Sequence, residues 1–344
     1  MTSGTDDEMS TGSPAAGSTG GTMVDSAGRL GRGSAVLAFV VVQAVVFALA
    51  YSAGRTGLYA FFALGSAATV GYLSHRGWFA VAAASLGAVL LIAVGLPMVM
   101  FVARQEPGLV IETVLDPEVH RMLYLSVYGP LLAALFTVVF GVPLAYLLAE
   151  GFPGDTLVES LVDLPLVVPH SVAGLLVLFG FGAGGAFPEV RMLGTMTGLV
   201  LAMAFVSAPF TVNVVREAFE TIDVRLEYAA RIHGANRFET FRRVIFPLSA
   251  RSAVTGGVLA WARAVSEFGA VAVVAYNVDF LYPFAGERIT GQHAPVFIFN
   301  TYRAGSLAES RAVGLVLLVV SVLIFLLVRW LAYGEDHTAA SAMP

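Results

Sequence analysis

The sequence predicts an all-α protein: a polytopic bundle of transmembrane helices. Three observations predict it. The 344 residues are 57% hydrophobic and only 12% charged, a balance that suits a multi-span membrane protein better than a soluble domain. The apolar residues gather into runs of roughly the length that crosses a hydrocarbon core. Arginines crowd into one loop at 216–251, as topology rules require of a cytoplasmic segment.

The elements follow in chain order. Residues 1–33 are rich in Ser, Thr, Gly and Asp and are expected to form a disordered tail, because they cannot bury enough apolar surface to fold. They lack the basic start before an apolar core that marks a secretory signal. Eight spans are expected, near 34–53, 57–73, 78–103, 121–148, 160–182, 195–215, 250–276 and 312–333. A tight turn, Ala53 to Thr56, joins the first two, which occupy 34–76. The main transmembrane domain is expected over 77–333, with a short C-terminal tail at 334–344.

Arginine counts orient the spans. Placing 216–251 in the cytoplasm puts both termini inside, together with Arg29, Arg32, Arg76 and Arg329. The outer side keeps Arg55, Arg104, Arg121, Arg191, Arg288, Arg303 and Arg311, several of them beside acids.

The stretch from Glu227 to Leu248 reads as an amphipathic helical hairpin. Asp223 can cap a helix through Glu227 and His233. Gly234 supplies a left-handed turn, and Asn236 with Glu239 makes a capping-box start for a second helix. Phe238, Phe241 and Ile245 fall on one side of it, with Arg237, Arg242 and Arg243 away from that line. Pro247 cannot continue the ladder, so the hairpin is expected to end there. Such a hairpin is either a plug for a water-soluble partner or an ordinary basic loop.

Two spans contain unusual residues. Pro165 and Pro169 each remove a backbone donor from one span, and freed carbonyls must face protein or a water-filled cavity. The segment 163–174 is therefore a pore or gate candidate, or a kink that shapes packing. Glu267 lies inside another span, and Arg263 four residues earlier is within pairing reach. That pair is expected to orient the helix or to gate. Gly269 permits close helix approach. His170 is either a proton or anion contact or a hydrogen-bonded packing residue. Ser171, Thr195, Thr197 and Ser207 offer hydroxyls either to a ligand or to local backbone.

Several chemistries are excluded. With no cysteine there is neither a disulfide nor a thiolate metal site. All nineteen basic residues are arginine, so a P-loop lysine and a Schiff-base lysine are absent. Catalytic and metal-binding motifs are missing, and a net charge of −5 offers no field for nucleic acid.

Three segments together carry a family resemblance. Glu227-Tyr228-Ala229-Ala230, then Gly234, then Val244-Ile245-Phe246-Pro247 resemble the EAA loop of ABC-importer permeases. Tyr228 stands where that pattern has Glu, and Phe246 where it has Leu. The run from Asp163 to Gly174 and the run Ser266-Glu267-Phe268-Gly269-Ala270 resemble the oxyanion permeases for sulfate, molybdate and tungstate, the tungstate/molybdate branch most.

The resemblance covers roughly Glu118 to Trp330. It implies a type I ABC importer permease core with extra N-terminal spans, acting as a homodimer in the plasma membrane. Coupling to a cytoplasmic ABC ATPase dimer is implied for Glu227, Ala229, Ala230, Gly234, Arg237 and Pro247. A path or gate is implied near Pro165, Pro169, His170, Ser171, Glu267 and Gly269. ATP and Mg then belong to the ATPase; this chain binds no cofactor or metal and hydrolyses nothing. An extracytoplasmic oxyanion-binding protein is expected to dock on the outer loops near 104–120 and 277–311, the second of which is expected to carry a short re-entrant helix. Sulfate or another oxyanion is the nearer alternative, and a non-ABC secondary carrier or membrane scaffold the farther one.

Overall fold

A computed structural model describes residues 42–43, 45–73, 77–182 and 184–333. The expected tails at 1–33 and 334–344 and most of the first expected span lie outside the described residues. The chain divides into two compact units, at 1–101 and 102–344.

In the first unit, residues 45–52 are helical and lead through Gly54, at φ 66°, into α1 (Thr56–Leu73). The expected tight turn is therefore present. Phe47 is buried against Tyr59, ring centroids 5.1 Å apart, and Gln43 donates to the Ser66 hydroxyl at 2.7 Å. Helix α2 (Gly77–Ala103) follows and carries Pro97 in its interior.

The second unit begins with the short helix α3 (Pro107–Leu115) and then α4 (Pro117–Glu150). Asp116 caps α4 by accepting from the Glu118 amide, and Pro117 supplies the fixed φ of a first helical residue. These two local signals start the helix four residues before the apolar run at Arg121. Next come α5 (Asp155–Val167), α6 (His170–Phe181) and α7 (Met196–Glu220).

Close helix packing is set by small residues. A Cβ on Gly141 would lie 3.1 Å from Val212, and one on Gly256 would lie 3.1 Å from the Thr211 backbone. Thr137 and Thr211 share a buried hydrogen bond of 3.0 Å between α4 and α7. The core of this unit runs through Leu125, Val177, Leu199, Met203, Val271 and Val274.

The arginine-rich loop forms α8 (Val224–Ile232) and α9 (Arg237–Thr240). A π-helical turn, Phe241–Ile245, leads directly into α10 (Phe246–Val265). The expectation that Pro247 ends the hairpin is thus corrected. Pro247 sits in the first turn of α10, and Arg237–Val265 is one continuous apolar helix of 29 residues. The π turn is the physical reason: the Phe246 amide reaches back to the Phe241 carbonyl, and the register shift makes room for a residue without an amide proton.

After α10 the backbone breaks at 266–268 and resumes as α11 (Gly269–Val274). Two antiparallel strands follow, β1 (Val278–Tyr282) and β2 (Glu287–Gly291), with Phe280 opposite Ile289. Then come α12 (Ala294–Arg303) and α13 (Leu307–Tyr333). The strand pair was not foreseen, although Val278 and Phe280 point inward and Asp279 and Leu281 outward, the period of a strand. The loop 277–311 does carry a short helix, α12.

Among the described residues, four helices are long and apolar enough to cross a membrane: α4, α7, the α9–α10 run and α13. Counting a bent pair at 93–115 as one span gives up to five. Both spans flagged for unusual residues, 160–182 and 250–276, are broken rather than continuous.

Candidate functional site

The two broken spans meet at their breaks. Val168 and Pro169 interrupt the first, and His170 opens α6 immediately after. Pro165, by contrast, lies buried inside α5 without ending it, so of the two expected breakers Pro169 is the one that acts. Ser266, Glu267 and Phe268 interrupt the second span, where no proline is present.

Glycine lets α6 and α11 touch. A Cβ on Gly269 would sit 2.6 Å from the His170 Cβ, and one on Gly174 would sit 2.7 Å from the Ala270 carbonyl oxygen. Real side chains do not tolerate either separation, so both positions require glycine for contact rather than for backbone freedom.

At this crossing three side chains interlock. Glu267 is 1% exposed, and its Oε1 accepts from the Ala270 amide at 2.8 Å, holding the start of α11. Its Oε2 lies 2.8 Å from Arg263 Nη2 and 2.7 Å from His170 Nδ1. Arg263 Nη2 is also 3.1 Å from His170 Nε2. With the proton on Nδ1, His170 donates to Glu267 and Nε2 is left to accept from Arg263. The 2.7 Å approach of Arg263 Nη2 to Nδ1 is then a close contact, not a bond. The sequence paired Glu267 with Arg263; it gave no sign that His170, 97 residues away, would complete the group. Ser171 is exposed beside it.

Other candidate hydroxyls are occupied locally. Ser207 donates to the Met203 carbonyl, and Thr195 caps α7 by accepting from the Gly198 amide. Asp163 accepts from Asn213 at 2.8 Å, and Arg216 pairs with Glu159, so two polar ties join α5 to α7.

The hairpin forms the second site. Asp223 caps α8 through the Arg225 amide, and Gly234 turns the chain at φ 88°. Asn236 and Glu239 make both bonds of a capping box, at 2.9 and 3.0 Å. No residue of α8 is buried, while Ile232 is 84% and Phe238 67% exposed. Arg225, Arg231, Arg237, Arg242 and Arg243 are exposed around them. Of the expected apolar line, Phe241 packs on Tyr146 and Ile245 is buried, whereas Phe238 projects away from the chain.

Of the expected coupling residues, Ala229, Gly234, Arg237 and Pro247 are exposed, and Ala230 is partly so. Glu227 turns inward, 3.2 Å from Arg231. Burial and the neighbouring Glu150 carboxylate raise its pKa, while Arg231 and Arg237 pull it back. Tyr228, in the place the resemblance gives to an acid, is exposed.

Residues 138–334 match the family described as binding-protein-dependent transport system inner membrane component. The molybdate/tungstate transport system permease protein WtpB of Pyrococcus furiosus is 36% identical over 270 residues, spanning 78% of this chain and all of that protein. The sulfate transport system permease protein CysT of Escherichia coli is 33% identical over 188 residues, spanning 53% of this chain and 68% of that one. A solved chain of a bacterial ABC transporter that imports alginate shares the fold, with a TM-score of 0.57 at 18% identity, over 75% of this chain and 96% of that one. The protein is a multi-pass membrane protein and belongs to the family of binding-protein-dependent transport system inner membrane components.

Proposed function

We propose that this chain is the permease subunit of an ATP-driven ABC importer that carries tungstate or molybdate into the cytoplasm. The observation that carries the reading is the match, at 36% identity, of 78% of this chain to the whole of a molybdate/tungstate permease. The crossing of two broken spans at a charged cluster supports a path for a charged solute, since irregular backbone and buried charge belong at a protein-lined or watery site.

The exposed apolar and arginine-rich hairpin supports docking to a cytoplasmic ABC ATPase dimer, which binds ATP and Mg and does the hydrolysis. Closure of that dimer draws two 224–246 hairpins together and switches the path between its two faces. Two copies of this chain then form the path between them, with both termini in the cytoplasm and the complex in the plasma membrane. Glu227, Ala229, Ala230, Gly234, Arg237 and Pro247 belong to the coupling surface. Pro165, Pro169, His170, Ser171, Glu267 and Gly269 belong to the gate.

An outer cleft of about 490 Å³ supports docking of an extracytoplasmic binding protein. It draws Glu112, Asp116 and Glu118 from one expected outer loop and Gln292, Asn300 and Glu309 from the other.

Sulfate transport is the second reading, favoured by the 33% identity to a sulfate permease. Cellular uptake of labelled tungstate, molybdate and sulfate, with and without this chain and in competition, decides between them. Loss of tungstate and molybdate uptake alone supports the proposal. Loss of sulfate uptake replaces the substrate, and no change in any of the three overturns the oxyanion assignment.

A further inference from the structure

We infer that Arg263 is an anion contact inside the path, and that Glu267 is the positioning residue that keeps this contact weak. The inference rests on the oxyanion reading above. It starts from exposure. In one copy of the chain His170 remains 44% and Arg263 21% exposed, although both lie at breaks within apolar spans. Ionisable groups on broken apolar spans face a protein-lined or watery site rather than lipid, so this face meets water in the path.

The exposed and hidden halves of the cluster differ in sign. Both oxygens of Glu267 are engaged and the carboxylate is buried. The groups left at least partly exposed are the Arg263 guanidinium, the His170 ring and the Ser171 hydroxyl. In the resting arrangement Arg263 donates one Nη2 proton to Glu267 and the other to His170 Nε2, while Nη1 reaches Ser266 only at 3.4 Å. An oxyanion entering the opening exchanges places with His170 Nε2 as acceptor, and the planar donor fork of arginine fits it.

Charge balance explains why such a contact transports rather than traps. Arg263 and Glu267 sum to zero, so the anion meets a directed donor without a full unpaired charge. A conducting site must bind well enough to admit a solute and weakly enough to release it. Removing the Glu267 charge while keeping its shape exposes the full arginine charge.

The test is equilibrium binding of labelled molybdate, without binding protein, to the purified complex of this chain with its ATPase. The wild-type, Glu267→Gln, Arg263→Lys and Arg263→Gln complexes are compared, each first checked for assembly, and uptake is measured in parallel. Glu267→Gln is expected to bind molybdate about tenfold more tightly, ~1.4 kcal/mol, and to transport it more slowly. A merely structural carboxylate gives slower transport with no gain in binding, and that result overturns the inference. If Glu267→Gln does not assemble, the arginine pair decides. Arg263→Lys, which keeps the charge but loses the planar fork, is expected to keep about a tenth of wild-type uptake and Arg263→Gln none; equal uptake by the two overturns it. Wild-type complex that moves neither molybdate nor tungstate refutes the oxyanion reading itself, a separate result from failure of the variants.

Discussion

Glu267 holds together three segments that the sequence keeps far apart: the end of α10, the start of α11 and the start of α6. Its burial makes each bond matter. Glu267→Ala leaves the Arg263 guanidinium without its carboxylate and the Ala270 amide without an acceptor, an expected loss of about 3–5 kcal/mol. A drop in the melting temperature of the detergent-solubilised chain reads this loss; an unchanged melt means the cluster is not structural. Glu227 makes a pH-dependent contribution instead. Its pKa is raised above the ordinary 4.5, so the folded chain holds the proton more tightly than the unfolded one. That contribution is present below the unfolded value and is lost as pH rises through the raised one. The melting temperature is therefore expected to fall as pH rises upward from the ordinary carboxylate range, and Glu227→Gln to flatten part of that slope. Residue roles were legible where partners are close in sequence. Arg263 lies four positions from Glu267 and was paired with it; His170 was not, because nothing local points across 97 residues.

Among the elements, the hairpin was the most legible because its signals are local. Asp223, Gly234, Asn236 and Glu239 all take the backbone roles their types suggest. Asn236→Ala removes one side of the capping box and is expected to cost about 1 kcal/mol of helix stability, read as faster amide exchange through α9. Unchanged exchange means the box is not what orders this turn. The crossing of α6 and α11 is held by contact instead. Gly269→Ala drives a methyl into His170 and is expected to cost about 1–3 kcal/mol by overpacking. Loss of uptake with the hairpin still able to bind the ATPase places the defect at the crossing. Breaks without proline were illegible: Ser266-Glu267-Phe268 reads as part of an apolar run until a buried carboxylate is seen capping the next helix. Pro247 misled in the other direction, because a π turn absorbs it. The strand pair at 278–291 escaped notice because its alternation is short and sits in a loop.

For the whole molecule, composition and span length were enough to fix an all-α membrane bundle, since burial in lipid demands helices whose backbone is satisfied internally. What they did not reveal is which spans break, and those breaks build the candidate gate. The proposed machine joins two distant sites in this chain, an exposed hairpin that takes force and a broken-span crossing that opens. Gly234 tests the join. Its left-handed φ of 88° strains any side chain, yet within the chain nothing lies within 4 Å of a Cβ placed there. A larger residue is therefore expected to act through the turn and the proposed docking surface rather than through a clash within the chain. The most direct measurement is ATP-driven uptake of labelled molybdate into vesicles holding the complete importer, with ATP hydrolysis followed in the same sample, for wild type and Gly234→Asp. The account predicts that the variant complex still hydrolyses ATP but loses most uptake and the stimulation of hydrolysis by loaded binding protein. Normal uptake by Gly234→Asp would contradict the hairpin as the coupling element.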